Sequence, residues 1–104
     1  MKNTKVISAQ EARNFVLDMH REAKVLSEEA IENVLEAVDV QVRVAMKIGN
    51  LQAMVNITPI SRLTDINTEA AKRAIIGLSA NLIHLGYKFD SFNTNTTLIT
   101  LRWD

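Results

Sequence analysis

The chain lacks several residue types that particular functions require. It contains no cysteine, one proline and three glycines among its 104 residues. Without cysteine, disulfides, thiolate zinc sites and a cysteine nucleophile are excluded, and a reducing cytosol fits this composition. The glycines, Gly49, Gly77 and Gly86, stand too far apart to form a glycine-rich phosphate loop. None of these sites is therefore expected.

The chain also has no excess of charge of either sign. Twelve basic residues balance twelve acidic ones, so no overall field attracts a nucleic acid. Apolar residues make up 47% and aromatic residues only 5%, which is ordinary globular composition. No stretch has the apolar length of a signal peptide or a transmembrane helix. We expect a single cytoplasmic domain over residues 1–104, without a membrane and without general nucleic-acid binding.

Amphipathic patterns predict two helices in the first half of the chain. A capping box at residues 8–11 begins the first helix. Ser27 begins a second, either after a bend or as a continuation of the first. The second helix extends to Gly49, although alternating valines at 38–44 also match a strand. We favour the helix because its pattern accounts for more residues. The apolar stripe of the first helix comprises Ala12, Phe15, Val16, Met19, Ala23 and Leu26.

The second half predicts a helix between strands. Alternating apolar residues indicate a strand at 51–57, which Pro59 ends, and a loop follows at 58–67. A third helix spans 67–85 and is capped by Gly86. Tyr87 and Phe89 open a second strand, and residues 96–103 form a third. The predicted fold is α+β in the order α-α-β-α-β-β, a small three-stranded sheet with helices packed on one face.

Candidate catalytic and metal-binding residues are few. His20 and His84 are the obvious titratable candidates, but neither stands in a catalytic motif. An acidic row on the second predicted helix is more typical of a solvated face than of a metal site. We therefore predict no catalytic residue, no metal and no cofactor, and favour a protein that is not an enzyme. The members of the acidic row are Glu28, Glu32, Glu36 and Asp39.

The polar segment before the third helix suggests a ligand site. Free amides at a helix N-terminus beside an arginine can hold an anion. Arg62, Thr64 and Asn67 are thus candidate ligand-binding residues, with Arg102 as a further candidate near the C-terminus. The alternative is that Asn67 and its neighbours cap the helix themselves. An oligomer that sequesters a small nucleotide-like anion is accordingly an alternative function.

The third predicted helix carries apolar residues on two faces, and a chain of this size easily buries only one. The second face contains Ile76, Ala80 and Ile83. Gln41 falls within the apolar arc of the second predicted helix, where a buried glutamine needs a partner from another subunit or from its own backbone. These four residues are the predicted oligomer interface. A homo-oligomer that works by binding is the functional inference with the best support.

Three segments give the sequence a resemblance to a group of phage proteins. They are the helix end at 45–50 (AMKIGN), the helix-to-strand junction at 85–89 (LGYKF) and the terminal strand at 98–103 (LITLRW). In this arrangement the chain resembles small uncharacterised proteins encoded by tailed bacteriophages. The resemblance implies an accessory protein inside a bacterial cell, and assigns no active residues. The leading hypothesis is binding to a host or phage protein, with inhibition as one outcome, and a virion structural component is a further alternative.

Overall fold

One uninterrupted helix is the longest element of the molecule, and most of the other elements pack against it. The structure, a computed structural model, describes residues 6–104. Helix α1 spans Ala9–Lys47, and its 39 residues include no glycine or proline. Ser8 caps the start, because its hydroxyl oxygen accepts a hydrogen bond from the Glu11 amide at 3.1 Å. At 1.5 Å per residue the helix is about 58 Å long, roughly twice the diameter of a small domain.

The two helices predicted for the first half are one helix. The Ser27 side chain is buried, and its hydroxyl donates to the Lys24 carbonyl oxygen at 3.0 Å inside α1. The hydroxyl is thus not available to cap a new helix, and continuation is the alternative that the structure shows. The valine-rich segment at 38–44 also lies in α1, which confirms its helical interpretation. Gly49 follows with φ of 80°.

A two-stranded antiparallel sheet and three further helical segments complete the fold. The two strands pair with Val55 opposite Ile99. Each strand alternates, so that Ala53, Val55, Ile99 and Leu101 are buried while their neighbours are exposed or half-buried. The elements after α1 are β1 (Gln52–Asn56), α2 (Thr58–Ser61), a 3₁₀ helix η1 (Arg62–Asp65), α3 (Thr68–His84) and β2 (Leu98–Arg102).

The predicted three-stranded sheet is wrong. The described residues form one two-stranded antiparallel sheet, and the chain is helix-rich, at 65%. Where the second strand was expected, Lys88 alone exchanges backbone hydrogen bonds with Arg102, each at 2.9 Å. The Tyr87 amide instead donates to the Leu82 carbonyl oxygen at 3.0 Å, closing the end of α3. One residue later the chain forms a single bridge, too short for a strand.

The predicted loop at 58–67 is also wrong, because it contains α2 and η1. Pro59 lies in the first turn of α2, where its missing N–H loses no helical hydrogen bond. Ile60 and Leu63 are buried, so this segment contributes to the core instead of crossing the surface. The strand ends before Pro59, as predicted, but Pro59 itself lies in the first turn of a helix.

Helix α3 packs along α1, and the two helices run parallel. Asn67, at the start of α3, donates to the Met19 carbonyl oxygen at 3.3 Å. Further along, a Cβ atom at Gly77 would lie 2.6 Å from Cδ1 of Ile31. Gly77 therefore allows a close approach between two helices of one subunit. The core is completed by the buried face of the two-stranded sheet, which packs against the C-terminal half of α1.

The folded body covers only part of α1. Ala23 is the first buried residue of the helix. Residues 9–22, here called the arm, contain no buried residue, and the start of α3 lies beside the base of the arm at Met19. The molecule measures 74 × 21 × 19 Å, with a radius of gyration of 18.4 Å. A compact domain of this length has a radius of gyration of about 13 Å. The arm accounts for the elongated shape.

Replacing Gly77 with valine tests the contact between α1 and α3. The added carbon at Cβ alone would lie 2.6 Å from Ile31 Cδ1, so the branched valine overpacks the contact. We expect the free energy of unfolding, measured by urea denaturation, to fall by about 1–3 kcal/mol. In an Ile31→Ala background the space is available, and the cost of Gly77→Val should shrink. An equal cost in both backgrounds would contradict the contact.

Candidate binding surface

An apolar stripe runs along the arm without a neighbouring helix to cover it. The arm stripe consists of Ala12, Phe15, Val16 and Met19. Phe15 is 68% exposed and Val16 is 43% exposed. From Ala12 the seam continues through Val16, Met19 and Ala23 at steps of four, three and four residues, the spacing of helices that pack side by side. Beyond Ala23 the same face of α1 is buried against α3, so the arm stripe is the uncovered continuation of the core.

The sequence identified this stripe but not its exposure. Of its six members only Ala23 is buried, while Leu26 packs against the core and the half-buried Met19 lies beside the start of α3. The signal that indicates a free arm is the length of the pattern. A helix that runs from residue 9 to residue 47 without glycine or proline is too long for a body of this size to cover from end to end.

A groove of about 410 Å³ lies at the base of the arm, where α3 begins. We call it the basal groove. Ile66, which is 65% exposed, faces it beside Phe15 and Met19. Three acidic side chains also line the groove. One of them, Asp18, forms an exposed ion pair with Arg21 at 3.4 Å. The remaining lining residues are Asp18, Glu22, Thr64, Asp65, Asn67 and Thr68. The basal groove therefore combines apolar surface with negative charge at the end of the arm stripe.

Asn67, a predicted ligand-binding residue, is a buried helix cap. Its Oδ1 accepts a hydrogen bond from the Ala70 amide at 3.1 Å, and its Nδ2 donates to the Met19 carbonyl oxygen at 3.3 Å. The side chain thus satisfies the start of α3, which is the alternative that the sequence left open. Thr64 also lines the basal groove, and its hydroxyl donates to the Thr94 carbonyl oxygen at 3.4 Å.

The two arginines of the predicted ligand site lie elsewhere. Arg62 is exposed and lines a separate groove with Asn33 and Pro59. Arg102 lies on β2, and its guanidinium is 4.0 Å from Asp90. The structure therefore brings Thr64 and Asn67 to one groove and does not bring Arg62 or Arg102 to it.

The predicted oligomer interface divides between two helices. Ile76 and Ile83 are 71% and 66% exposed, and Ala80 is exposed between them. These three residues form the outer face of α3, away from its buried side. Gln41 belongs to α1, is exposed, and lines a groove with Val44 at the other end of the molecule. A single subunit thus creates no buried glutamine that needs a partner.

The remaining candidates lie on exposed surface. His20 and His84 are both exposed on their helices. In the acidic row, Asp39 forms an ion pair with Arg43 at 3.0 Å, and both side chains are more than half exposed. Within residues 6–104 no group of three or more histidine, aspartate or glutamate side chains is placed to hold a metal ion. No helix in this range is both long enough and apolar enough to cross a membrane.

Comparison with known proteins assigns no family. No family model, no curated protein and no solved structure matches the chain. Its function is accordingly inferred from the exposed surfaces, among them the arm stripe with the basal groove.

Replacing Asn67 with alanine tests the contact between the arm and the start of α3. The variant loses the cap on the Ala70 amide and the hydrogen bond to Met19. We expect the free energy of unfolding to fall by about 1–2 kcal/mol, as measured by urea denaturation. Thr68→Ala, an exposed neighbour, is the matched control and should change stability much less. Equal stability of the Asn67 variant and the wild-type chain would contradict this role.

Proposed function

We propose that this protein works by binding and not by catalysis, and that it self-associates through the arm. The observation that carries the proposal is the uncovered arm stripe. It continues the core face of α1, yet Phe15 and Val16 remain 68% and 43% exposed in one subunit. Removing this surface from water is favourable in proportion to its area. A second helix along the arm would do for residues 9–22 what α3 does for the middle of α1.

The total surface area supports the same proposal. One subunit has an accessible surface of 7540 Å². A compact monomer of its mass has about 5,900 Å² by the usual scaling, which leaves roughly 1,600 Å² of excess surface. Stable interfaces bury about 800 Å² on each partner. The chain therefore has enough additional surface for one interface and for further contacts.

The outer face of α3 is the surface that we assign to a different protein. Ile76 and Ile83 are two helical turns apart on the solvent side, with Ala80 between them. A row of apolar residues on one helical face is a common way to bind a groove on a partner. The sequence pattern predicted the oligomer interface on this face of α3, together with Gln41. The longer stripe on the arm is the better surface for self-association, which leaves the outer face of α3 free in the assembly.

The resemblance to proteins of tailed bacteriophages supports a setting for this activity. We propose an accessory protein in the cytoplasm of the infected bacterial cell, where the assembly binds a host or phage protein and inhibits it. Sequestration of a small anion is the weaker candidate, because Arg62 and Arg102 lie away from the basal groove that Thr64 and Asn67 line.

Sedimentation velocity over a range of protein concentrations tests self-association. We expect a discrete homo-oligomer, and at least a tenfold weaker association for Phe15→Glu with Val16→Glu, because two charges would have to be buried. Circular dichroism should show that the double variant remains folded, since neither residue belongs to the core. Val25→Glu, at a position 55% exposed on another side of α1, is the control and should assemble normally. A wild-type chain that stays monomeric would refute the proposal.

Affinity capture from phage-infected cells tests the second surface. Ile76→Glu with Ile83→Glu should lose the protein that the wild-type chain retains, while the oligomer stays intact, because both residues lie on the outer face of α3. The Val25→Glu chain should retain that protein. If the double variant captures the same protein in the same amount, the outer face of α3 is not the partner surface.

A further inference from the structure

The geometry of the arm limits what can cover it. Helix α3 begins at Thr68, and its Asn67 cap lies beside Met19 near the base of the arm, so a helix on the arm stripe would lie nearly end to end with α3. One end of this covering helix would lie at the basal groove, and the other end would lie beside residue 9. The space for this helix is at most as long as the arm itself, fourteen residues or about 21 Å at 1.5 Å per residue.

The arm of a second copy has the right length for this space, provided that it runs antiparallel. In a parallel pair, the partner helix would continue past residue 22 into the start of α3 and the 3₁₀ helix beside it. In an antiparallel pair, the partner helix ends at the basal groove and the partner body lies beyond the free end of the arm. A two-fold axis near Phe15 then relates the copies, so each contact occurs twice.

The tip of the arm matches the basal groove chemically. Val6 and Ile7, just before α1, are 79% and 60% exposed, and the groove offers Met19 and Ile66 as apolar partners at the base of the arm. The start of a helix also carries partial positive charge from its free amides. The groove supplies carboxylates to face that charge, from Asp18, Glu22 and Asp65.

The area also favours contacts beyond the arms themselves. Two helices that touch over about 21 Å bury less than the roughly 800 Å² per partner of a standard interface. Seating each tip in the opposite groove lengthens the contact at both ends. Val6, Ile7 and Ile66 would then leave water together with the arm stripe.

We propose that two copies of this chain pair through antiparallel arms, with the tip of each arm seated in the basal groove of the other. This inference rests on the proposed self-association and specifies its geometry. The wild-type chain has no cysteine, so single cysteine variants report one position each. Ile7→Cys marks the tip and Ile66→Cys marks the groove, both at exposed positions.

The experiment mixes Ile7→Cys chains labelled with ¹⁵N with unlabelled Ile66→Cys chains, adds a mild oxidant and identifies the cross-linked pairs by mass spectrometry. We expect the mixed pair, labelled with unlabelled, to form at least ten times faster than either self-pair. Predominant pairing of Ile7→Cys with itself would mean parallel arms and would overturn the inference. An Ile83→Cys chain that pairs with itself faster than the mixed pair forms would instead place the interface on α3 and also overturn it.

Sedimentation of the same samples separates the two proposals. An oligomer without the mixed cross-link refutes the antiparallel geometry but leaves self-association standing, whereas a monomer refutes both. Ile66→Glu provides a test without cysteine, and should raise the dissociation constant of the oligomer at least tenfold. Ile48→Glu, at a position 70% exposed at the far end of the molecule, should leave the constant unchanged.

Discussion

The continuous backbone hydrogen-bond ladder of α1 is the constraint on which the structure depends. No glycine or proline interrupts its 39 residues, and Ser27, the one candidate for a second helix start, donates to the Lys24 carbonyl oxygen inside the ladder. The helix therefore keeps its direction beyond the part that the body can cover. Its length of about 58 Å exceeds the reach of the remaining elements.

Two contacts between α3 and α1 determine how much of α1 is covered by α3. Gly77 lets α3 approach α1 closely at Ile31, and Asn67 joins the first turn of α3 to the Met19 carbonyl oxygen. Chain order then places η1 at this end of α3, and within residues 6–104 the arm stripe stays exposed at Phe15 and Val16. A fourteen-residue helix is only marginally stable in water by itself. The weak intrinsic stability of a helical segment without packing and the exposure of Phe15 both favour a second copy as the partner that covers the arm.

The sequence predicted local features better than their long-range arrangement. The cap at Ser8, the helix at 38–44, the start of α3 at Asn67 and the turn at Gly86 depend on residues near in sequence, and all are present. The second strand was predicted wrongly because the Tyr87 amide is used by the turn that closes α3, which leaves only Lys88 to pair with Arg102. The exposure of the arm stripe was missed because hydrophobic periodicity marks a face but does not say what covers it.

Amide hydrogen exchange along the arm tests most directly whether a second copy covers it. Residues 9–22 and the buried helical segment at 30–42 belong to the same helix, so the inner segment is an internal reference. If arms pair, exchange in the arm should slow markedly as protein concentration rises from well below to well above the association midpoint, while the reference stays constant. Exchange in the arm that is fast and independent of concentration would contradict the account.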